Sequence, residues 1–241
     1  MHNKRSHSDV DFPHFSRHAS INPRRKARAL DNKESFVKPY INMFVAAVLI
    51  LGAGSAVAAE PDVYNNPTAG LEVTKPADWS YVTAAQNMDN IKGVKLKDEE
   101  FHAAMQKYAT APLVAMTKYP MPYDDVNPSF KVNLKPFGGL KGKSPQDIIS
   151  LVMPQFKNAF QDFVLVQPPK EVFVSGIESA YARMNYTMEI PDGRSFQTTS
   201  ELWIVPRGDY FFMIGAGTRQ DERTGSREEI QDILASLKIE K

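Results

Sequence analysis

Few side chains in this sequence have the type and spacing that chemistry requires. Gly138-Gly-Leu-Lys141-Gly-Lys143-Ser144 stands between a strand-like run and a helix start, and it almost spells a phosphate-cradling loop. That loop needs four residues between its first Gly and the Gly-Lys-Ser. Phe137 occupies the required position, and Gly138 leaves only three residues between. No Mg²⁺-holding Asp on a following buried strand is evident, so no nucleotide partner is expected. A looser reading keeps Lys141 and Lys143 as an anion contact beside the free N–H groups of a helix start. The sequence favours a basic turn in which Ser144 simply caps the helix.

Other near-motifs weaken in the same way. Gly52-Ala-Gly54-Ser-Ala-Val57 half-matches a dinucleotide fingerprint, but the third Gly is Val57 and Pro61 follows closely. No βαβ unit follows to place a helix N-terminus at the pyrophosphate. Asp124 and Asp125 share a Pro-rich loop, residues 119–128, that offers few of the about six to eight oxygens Ca²⁺ takes. Solvated acids are the plainer reading. Arg207-Gly208-Asp209 spells an integrin-type triplet at a hairpin tip, where Gly serves positive φ and Asp local hydrogen bonding. Residues 218–225 (TRQDERTG) form a highly charged connector.

The 241 residues include no cysteine, which excludes disulfides, thiolate nucleophiles, Cys-based metal sites and thioether lipid anchors. Of five histidines, His2, His7, His14 and His18 lie near the start, and only His102 lies beyond. One His cannot supply a two-His metal site. A Ser-His-Asp triad would have to use His102, for which the sequence offers neither nucleophile nor orienting partner. His102 reads as an exposed or partly covered structural residue. No catalytic residue, metal or cofactor is expected.

Charge separates the chain into regions. Residues 1–40 carry nine Lys/Arg and four Asp/Glu, and residues 41–59 carry none. From Glu60 onward there are 20 Lys/Arg and 24 Asp/Glu, a mildly acidic body with no footprint for a nucleic-acid backbone. Within 41–59, the wholly apolar MFVAAVLIL gives way to small residues, GAGSAVAA. A basic flank, a short apolar core and an A-x-A-like end describe a secretory signal peptide. Cleavage is expected between Ala59 and Glu60, or one residue earlier. At 59 residues the leader exceeds the roughly 15–30 of a simple signal. The competing reading is an uncleaved anchor, since 19 uncharged residues approach the roughly 20 needed to span a bilayer. Export to a bacterial periplasm is expected, with inner-membrane anchoring or an organellar lumen as alternatives. The domain plan is a basic leader (1–40), a signal region (41–59) and one domain (60–241).

The elements of that domain follow from periodicity. After a polar linker (60–68), residues 70–75 alternate as a strand. Residues 98–108 read as a helix capped by Asp98, with Phe101, Ala104, Met105 and Tyr108 on one face. Residues 113–119 and 129–135 read as strands, the second with Phe130, Val132 and Leu134 inward and Lys131, Asn133 and Lys135 outward. Ser144 and Pro145 open the longest helix, whose stripe is Ile148, Ile149, Val152, Phe156, Ala159 and Phe160 and which Pro154 should kink. Strands follow at 163–167, 171–175, 179–190, 195–205 and 210–217.

The turn at Pro191-Asp192-Gly193 fixes a register. Placing Ile190 opposite Arg194, with Gly193 left-handed, sorts the faces. Ala182, Met184 and Met188 then oppose Leu202, Ser200 and Phe196, and Arg183, Asn185 and Thr187 oppose Glu201, Thr199 and Gln197. The turn at Arg207-Gly208 is expected to pair Leu202 with Met213 and Ile204 with Phe211. Trp203, Phe212 and Tyr181 form an aromatic group on the other face, which needs cover. A last helix spans 227–239, with Ser226 and Glu229 as a capping box and Ile230, Ile233, Leu234 and Leu237 buried. The fold class is α+β: an antiparallel sheet flanked by helices on both faces.

Several phrases resemble the PsbP-like family. Residues 64–79 (YNNPTAGLEVTKPADW) are similar to its opening strand, Pro and Trp, and Asn127-Pro128-Ser129 leads into a similar middle strand. The ending is similar too: a strand at 210–214, a polar loop and a helix closing on residues 233–239. The resemblance spans most of 64–239 and implies an αβα sandwich. It carries over no active residues, since its members are not a recognised enzyme family.

Three functions remain open at this point. One is an exported, non-enzymatic domain that binds a protein or envelope component in an accessory role. Another is a small-ligand carrier with a pocket between sheet and helix lined by Met105, Met116, Met153 and Phe156. The third is an enzyme using a carboxylate pair that the sequence does not locate.

Overall fold

The computed structural model describes residues 50–52, 62–221 and 226–240, all within the unit spanning 37–241. In chain order the strands are β1 (Ile50–Gly52), β2 (Asp62–Asn66), β3 (Leu71–Lys75), β4 (Ser80–Tyr81), β5 (Val114–Thr117), β6 (Tyr123–Asn127) and β7 (Ser129–Pro136). They continue as β8 (Gln161–Val174), β9 (Ile177–Glu189), β10 (Ser195–Arg207), β11 (Tyr210–Arg219) and β12 (Lys238–Ile239). The helices are α1 (Ala84–Lys92), α2 (Glu99–Tyr108), α3 (Pro145–Ala159) and α4 (Ser226–Ala235). Seven strands make the main antiparallel sheet in the order β4-β5-β7-β11-β10-β9-β8. A second sheet orders β12-β3-β2, and β1 pairs with β6.

Each face of the main sheet has its own core. On one, α3 lies over β8, β9 and β10, with Ile91 of α1 and Phe101 and Met105 of α2 in the same core and Asn87 of α1 accepting from Lys131 of β7. Met184, Met188, Leu202, Ile204, Phe211 and Met213 meet Ile148, Val152 and Phe156 there. On the other, α4 and the small sheet cover Phe130, Val132, Trp203, Val205, Phe212 and Ile214 with Leu71, Val73, Ile230 and Ile233. This is the sandwich expected from the sequence, with a small sheet joining the helix on one side.

Local signals act as their chemistry dictates. The Ser144 side chain accepts from Asp147 N–H while Asp147 reaches back to the Ser144 N–H, and Pro145 at the first helical position forfeits no bond. Asp98 Oδ1 accepts from Phe101 N–H at 2.9 Å. Helix α3 continues through Pro154 to Ala159. In the β9–β10 hairpin, Ile190 N–H donates to Arg194 O at 3.0 Å, and Gly193 takes φ +90°. Met184 faces Ser200, Arg183 faces Glu201 and Met188 faces Phe196, the register that side-chain sorting selects.

Other expectations are corrected. Leu202 faces Gly215 and Ile204 faces Met213, because Arg207 pairs with Tyr210 across a two-residue Gly208-Asp209 tip. The slip of two residues keeps every side chain on its expected face, so periodicity alone cannot detect it. The two strands expected at 163–167 and 171–175 are one, β8, with irregular register around Pro168 and Pro169. Prolines are tolerated there because β8 is an edge strand. The last helix stops at Ala235, and Ile239 joins β3 as part of β12. The linker contains β2, the Pro-rich loop contains β6, and α1, with its Thr83–Gln86 capping box, is an element that apolar periodicity misses. Lys131, Asn133 and Lys135, expected outward, are buried.

Candidate functional site

Three places concentrate unusual chemistry or exposure. The first is the loop after β7. Lys141 Nζ lies 3.0 Å from Asp209 Oδ1, with both side chains largely in solvent, and Lys143 is exposed. Ser144 caps α3, as the plain reading of the loop has it. Lys141 is thus drawn toward the β10–β11 tip, while Lys143 stands apart from that ion pair.

The second is the β8 edge. Val164 and Phe173 are 57% and 69% exposed, Val166 is also exposed, and Leu151 of α3 stands out nearby in sequence from the groove-lining Ser150 and Met153. Between α3 and β8 runs an open groove of about 610 Å³ lined by Met153, Pro154, Lys157, Phe163, Leu165 and Pro169. Pro154 cannot donate to the carbonyl of Ser150, a groove residue. Sequence patterning assigned Val164, Val166 and Phe173 to strands but could not reveal an edge, which depends on which strands pair.

The third is the inner face of β7. Lys131 is 3% exposed and donates from Nζ to Asn87 Oδ1 of α1 at 3.2 Å. Its ammonium is pulled down from the ordinary value of 10.5 to about 7, because burial disfavours the charged form. Lys135 donates to Thr110 Oγ1 at 2.6 Å and is lowered by the same cause. Between them on the pleat, Asn133 is equally buried, and its Nδ2 meets no acceptor among the described residues. Alternation marks these positions as polar. It cannot show that helices cover the polar side.

Elsewhere, the features weighed in the sequence have structural duties. Asp124 Oδ1 pairs with Arg194 at 2.6 Å, and Asp125 pairs with Arg219, which also holds Asp221 at 3.1 Å. These acids are ion-paired as well as solvated, and among the described residues no acid or His cluster suits a metal. His102 Nε2 lies 3.3 Å from Ile91 O and 3.0 Å from Gln106 Nε2, tying α2 to α1. Arg207 Nε donates to Glu240 O, and a Cβ on Gly70, at φ +60°, would strike the Arg207 guanidinium. The triplet's arginine therefore clamps the C-terminal strand. Met105, Met153 and Phe156 share the core under α3, whereas Met116 lies across the sheet, so these four line no common pocket.

One buried polar cluster anchors α4. The Tyr181 hydroxyl donates to Glu201 Oε2, and Arg227 Nε donates to Glu201 Oε1 at 3.0 Å. Burial first, then the Glu201 contact, pushes the Tyr181 phenol well above its ordinary range. Tyr181 also packs on Trp203, with ring centroids 5.0 Å apart, forming the covered aromatic group expected on this face.

No protein-family model matches the chain. No curated protein matches it either. Among solved structures, the fold is similar to cyanobacterial PsbP (CyanoP) from Synechocystis, with a TM-score of 0.45 and 12% identity, covering 78% of this chain and 96% of that one. It is also similar to LpqN, involved in cell envelope biogenesis of Mycobacterium tuberculosis, with a TM-score of 0.45, 13% identity, and 75% and 90% of the two chains covered. The Saccharomyces cerevisiae Ran-binding protein Mog1p gives a TM-score of 0.42 at 7% identity, with 76% and 96% covered. The PsbP-like likeness read from short phrases in the sequence is thus met again among solved folds. At these identities it is a likeness of fold and carries no function.

Proposed function

We propose that the chain is an exported, non-enzymatic domain that binds a protein or envelope component in an accessory or assembly role. The observation that carries this reading is the β8 edge. Exposed apolar side chains on a monomer are ordinarily scattered singly. Here Val164, Val166 and Phe173 are all exposed on one edge strand, Val164 and Val166 on the side opposite the Phe163 and Leu165 that line the groove. The edge is guarded against plain strand addition, because Pro168 and Pro169 lack N–H groups and the register breaks around them. The contact is therefore made by exposed side chains of β8 rather than by its backbone.

Export rests on the basic flank, the apolar run and the small-residue end of 41–59. Cleavage after Ala59 would also remove β1 from its place beside β6. A photo-crosslinking residue at Val166, in the full chain within its native cells, is expected to give one discrete adduct. The adduct should disappear in a Val164→Ser/Phe173→Ser variant, and a probe at Lys143 should not give it. No adduct at β8, or the same adducts from both positions, would count against the reading. N-terminal sequencing from the native cell fraction is expected to start at Glu60, and an intact leader in membranes would indicate the anchored form instead.

The carrier reading keeps one supporting observation, the open groove with Met153, Phe163 and Leu165 along it. A small apolar molecule recovered in stoichiometric amount from organic extracts of native protein would favour it.

A further inference from the structure

We infer that β6 is a strand-acceptor edge, filled by a short, extended, uncharged and apolar segment of a partner protein once the leader has been removed. Among the described residues β6 pairs with β1 and with no other strand. β1 is Ile50-Leu51-Gly52, part of the apolar run of the leader, and it borders both β6 and helix α1. The inference rests on the cleavage proposed above, which takes β1 away and leaves that edge of β6 unpaired. An unpaired edge presents a row of N–H and C=O groups that can pair with another chain.

The position of β6 does not depend on β1, because side chains hold it. Asp124 Oδ1 pairs with Arg194 at 2.6 Å, and Asp125 pairs with Arg219 of β11. Asn127 Nδ2 donates to Tyr119 O at 2.7 Å, and its Oδ1 accepts from Tyr119 N–H at 3.1 Å. Val126 is buried in the core that α3 covers. A strand fixed in this way needs little further ordering when a partner adds to it.

The edge also selects its occupant. Pro122 and Pro128 flank β6 and neither can donate, so the ladder is confined to Tyr123–Asn127 and the partner segment is short. Both acids of β6 are already ion-paired, so nothing on the strand calls for a cationic segment. The present occupant carries no charge. Gly52 lies opposite Tyr123, whose ring stacks on Tyr119 with centroids 4.4 Å apart, which favours a small residue at that place. β1 itself fits incompletely. The register shifts between the Ile50–Asn127 and Gly52–Tyr123 pairs, and Val126 N–H turns to Asp125 Oδ1 at 2.6 Å. A segment that follows β6 in register would make a fuller ladder, so β1 is a replaceable occupant.

Hydrogen exchange read by mass spectrometry compares the full chain with processed protein recovered from its native cell fraction. The 123–127 amides are expected to exchange roughly tenfold faster in the processed protein. A synthetic peptide of residues 46–54 (AAVLILGAG) should restore slow exchange saturably, and the same peptide with Leu51→Pro should not. A photo-crosslinking residue at Tyr123, within native cells, is expected to join a partner segment free of charged residues. That adduct should persist in Val164→Ser/Phe173→Ser, which separates this edge from the β8 contact. An intact leader on the native protein removes the cleavage reading and the inference with it. Processed protein whose 123–127 amides stay slow, or stay fast with the peptide, overturns the inference alone. So does the lack of an adduct at Tyr123, its loss in the β8 variant, or an adduct to a charged segment or a second copy of this chain.

Discussion

One face of the main sheet is built in two ways. Under α3 its floor is apolar: Ala180, Ala182, Met184 and Met188 of β9 and Leu202 and Ile204 of β10. Under α1 and α2 the same face carries Ser129, Lys131, Asn133 and Lys135 of β7 beside Thr117 of β5, all buried. The first half gains stability by removing hydrocarbon from water, at about 25 cal/mol per Å². The second half buries groups whose desolvation opposes folding unless each finds a partner. A sheet that affords such a region within one core holds it by the strength of the other half.

Breaking the apolar half should produce the largest effect. Phe156 of α3 meets Phe101 of α2 edge-on, with centroids 6.3 Å apart, and Phe160 at 6.0 Å. Phe156→Ala removes a ring from a 2%-exposed position and leaves a cavity between two helices. A loss of about 3–5 kcal/mol is expected, read as a lower midpoint in urea unfolding with an unchanged slope. A loss below about 1 kcal/mol would mean that α3 is not held as the apolar contacts indicate.

The polar half should respond in the opposite direction and depend on pH. Unfolded, Lys131 has its ordinary affinity for protons, with a value of 10.5, and folded it falls to about 7. Between these limits the unfolded chain binds more protons, so this group makes stability rise as pH increases from about 7 to about 10.5. Below pH 7 the opposing contribution is complete. Lys131→Met removes it but strands Asn87 Oδ1, a loss of about 1–3 kcal/mol. At pH 6 the variant should be the more stable by about 1–3 kcal/mol, since the shift corresponds to several kcal/mol. By pH 10 that advantage should vanish or reverse, as unfolding at the two pH values would show. A constant difference between native and variant would remove Lys131 as the titrating group.

The legibility of these two halves differs for the same reason. The α3 stripe and the β9–β10 register follow from local pattern, because a one-residue slip would mix Met184 and Met188 with Arg183 and Thr187. Polar alternation on β7 gave the right strand and the wrong environment. Lys131 and Lys135 look like a solvated face unless the positions of α1 and α2 are known, and those depend on contacts distant in sequence, such as Asn87 with Lys131. Helix α1 itself is hard to read, since Asn87 and Ile91 are its only buried positions. The β8 edge escapes sequence for a related reason. Val164 and Phe173 alternate as any strand does, and only the order of strands leaves one side of β8 open. Of the candidate site residues, Lys141 and Lys143 are where the loop's composition puts them, and the β7 donors become visible only in three dimensions.

The smallest effect is expected where the lysines are exposed. Lys141 and Asp209 form an ion pair of good length, but their side chains are 79% and 78% exposed. In solvent, such a pair loses to side-chain entropy and salt screening most of what it gains. Lys141→Ala should shift the melting temperature by no more than about 1 °C, and added salt should not enlarge the difference. The contrast with Lys131→Met is the point of the measurement: the same ammonium group is nearly neutral to stability on the loop and opposes folding on β7. A shift from Lys141→Ala as large as that from Lys131→Met would mean that burial does not distinguish the two lysines. The Lys141–Asp209 contact would then be holding the β10–β11 tip against the end of β7, alongside the Phe137 N–H to Asp209 O bond at 3.0 Å.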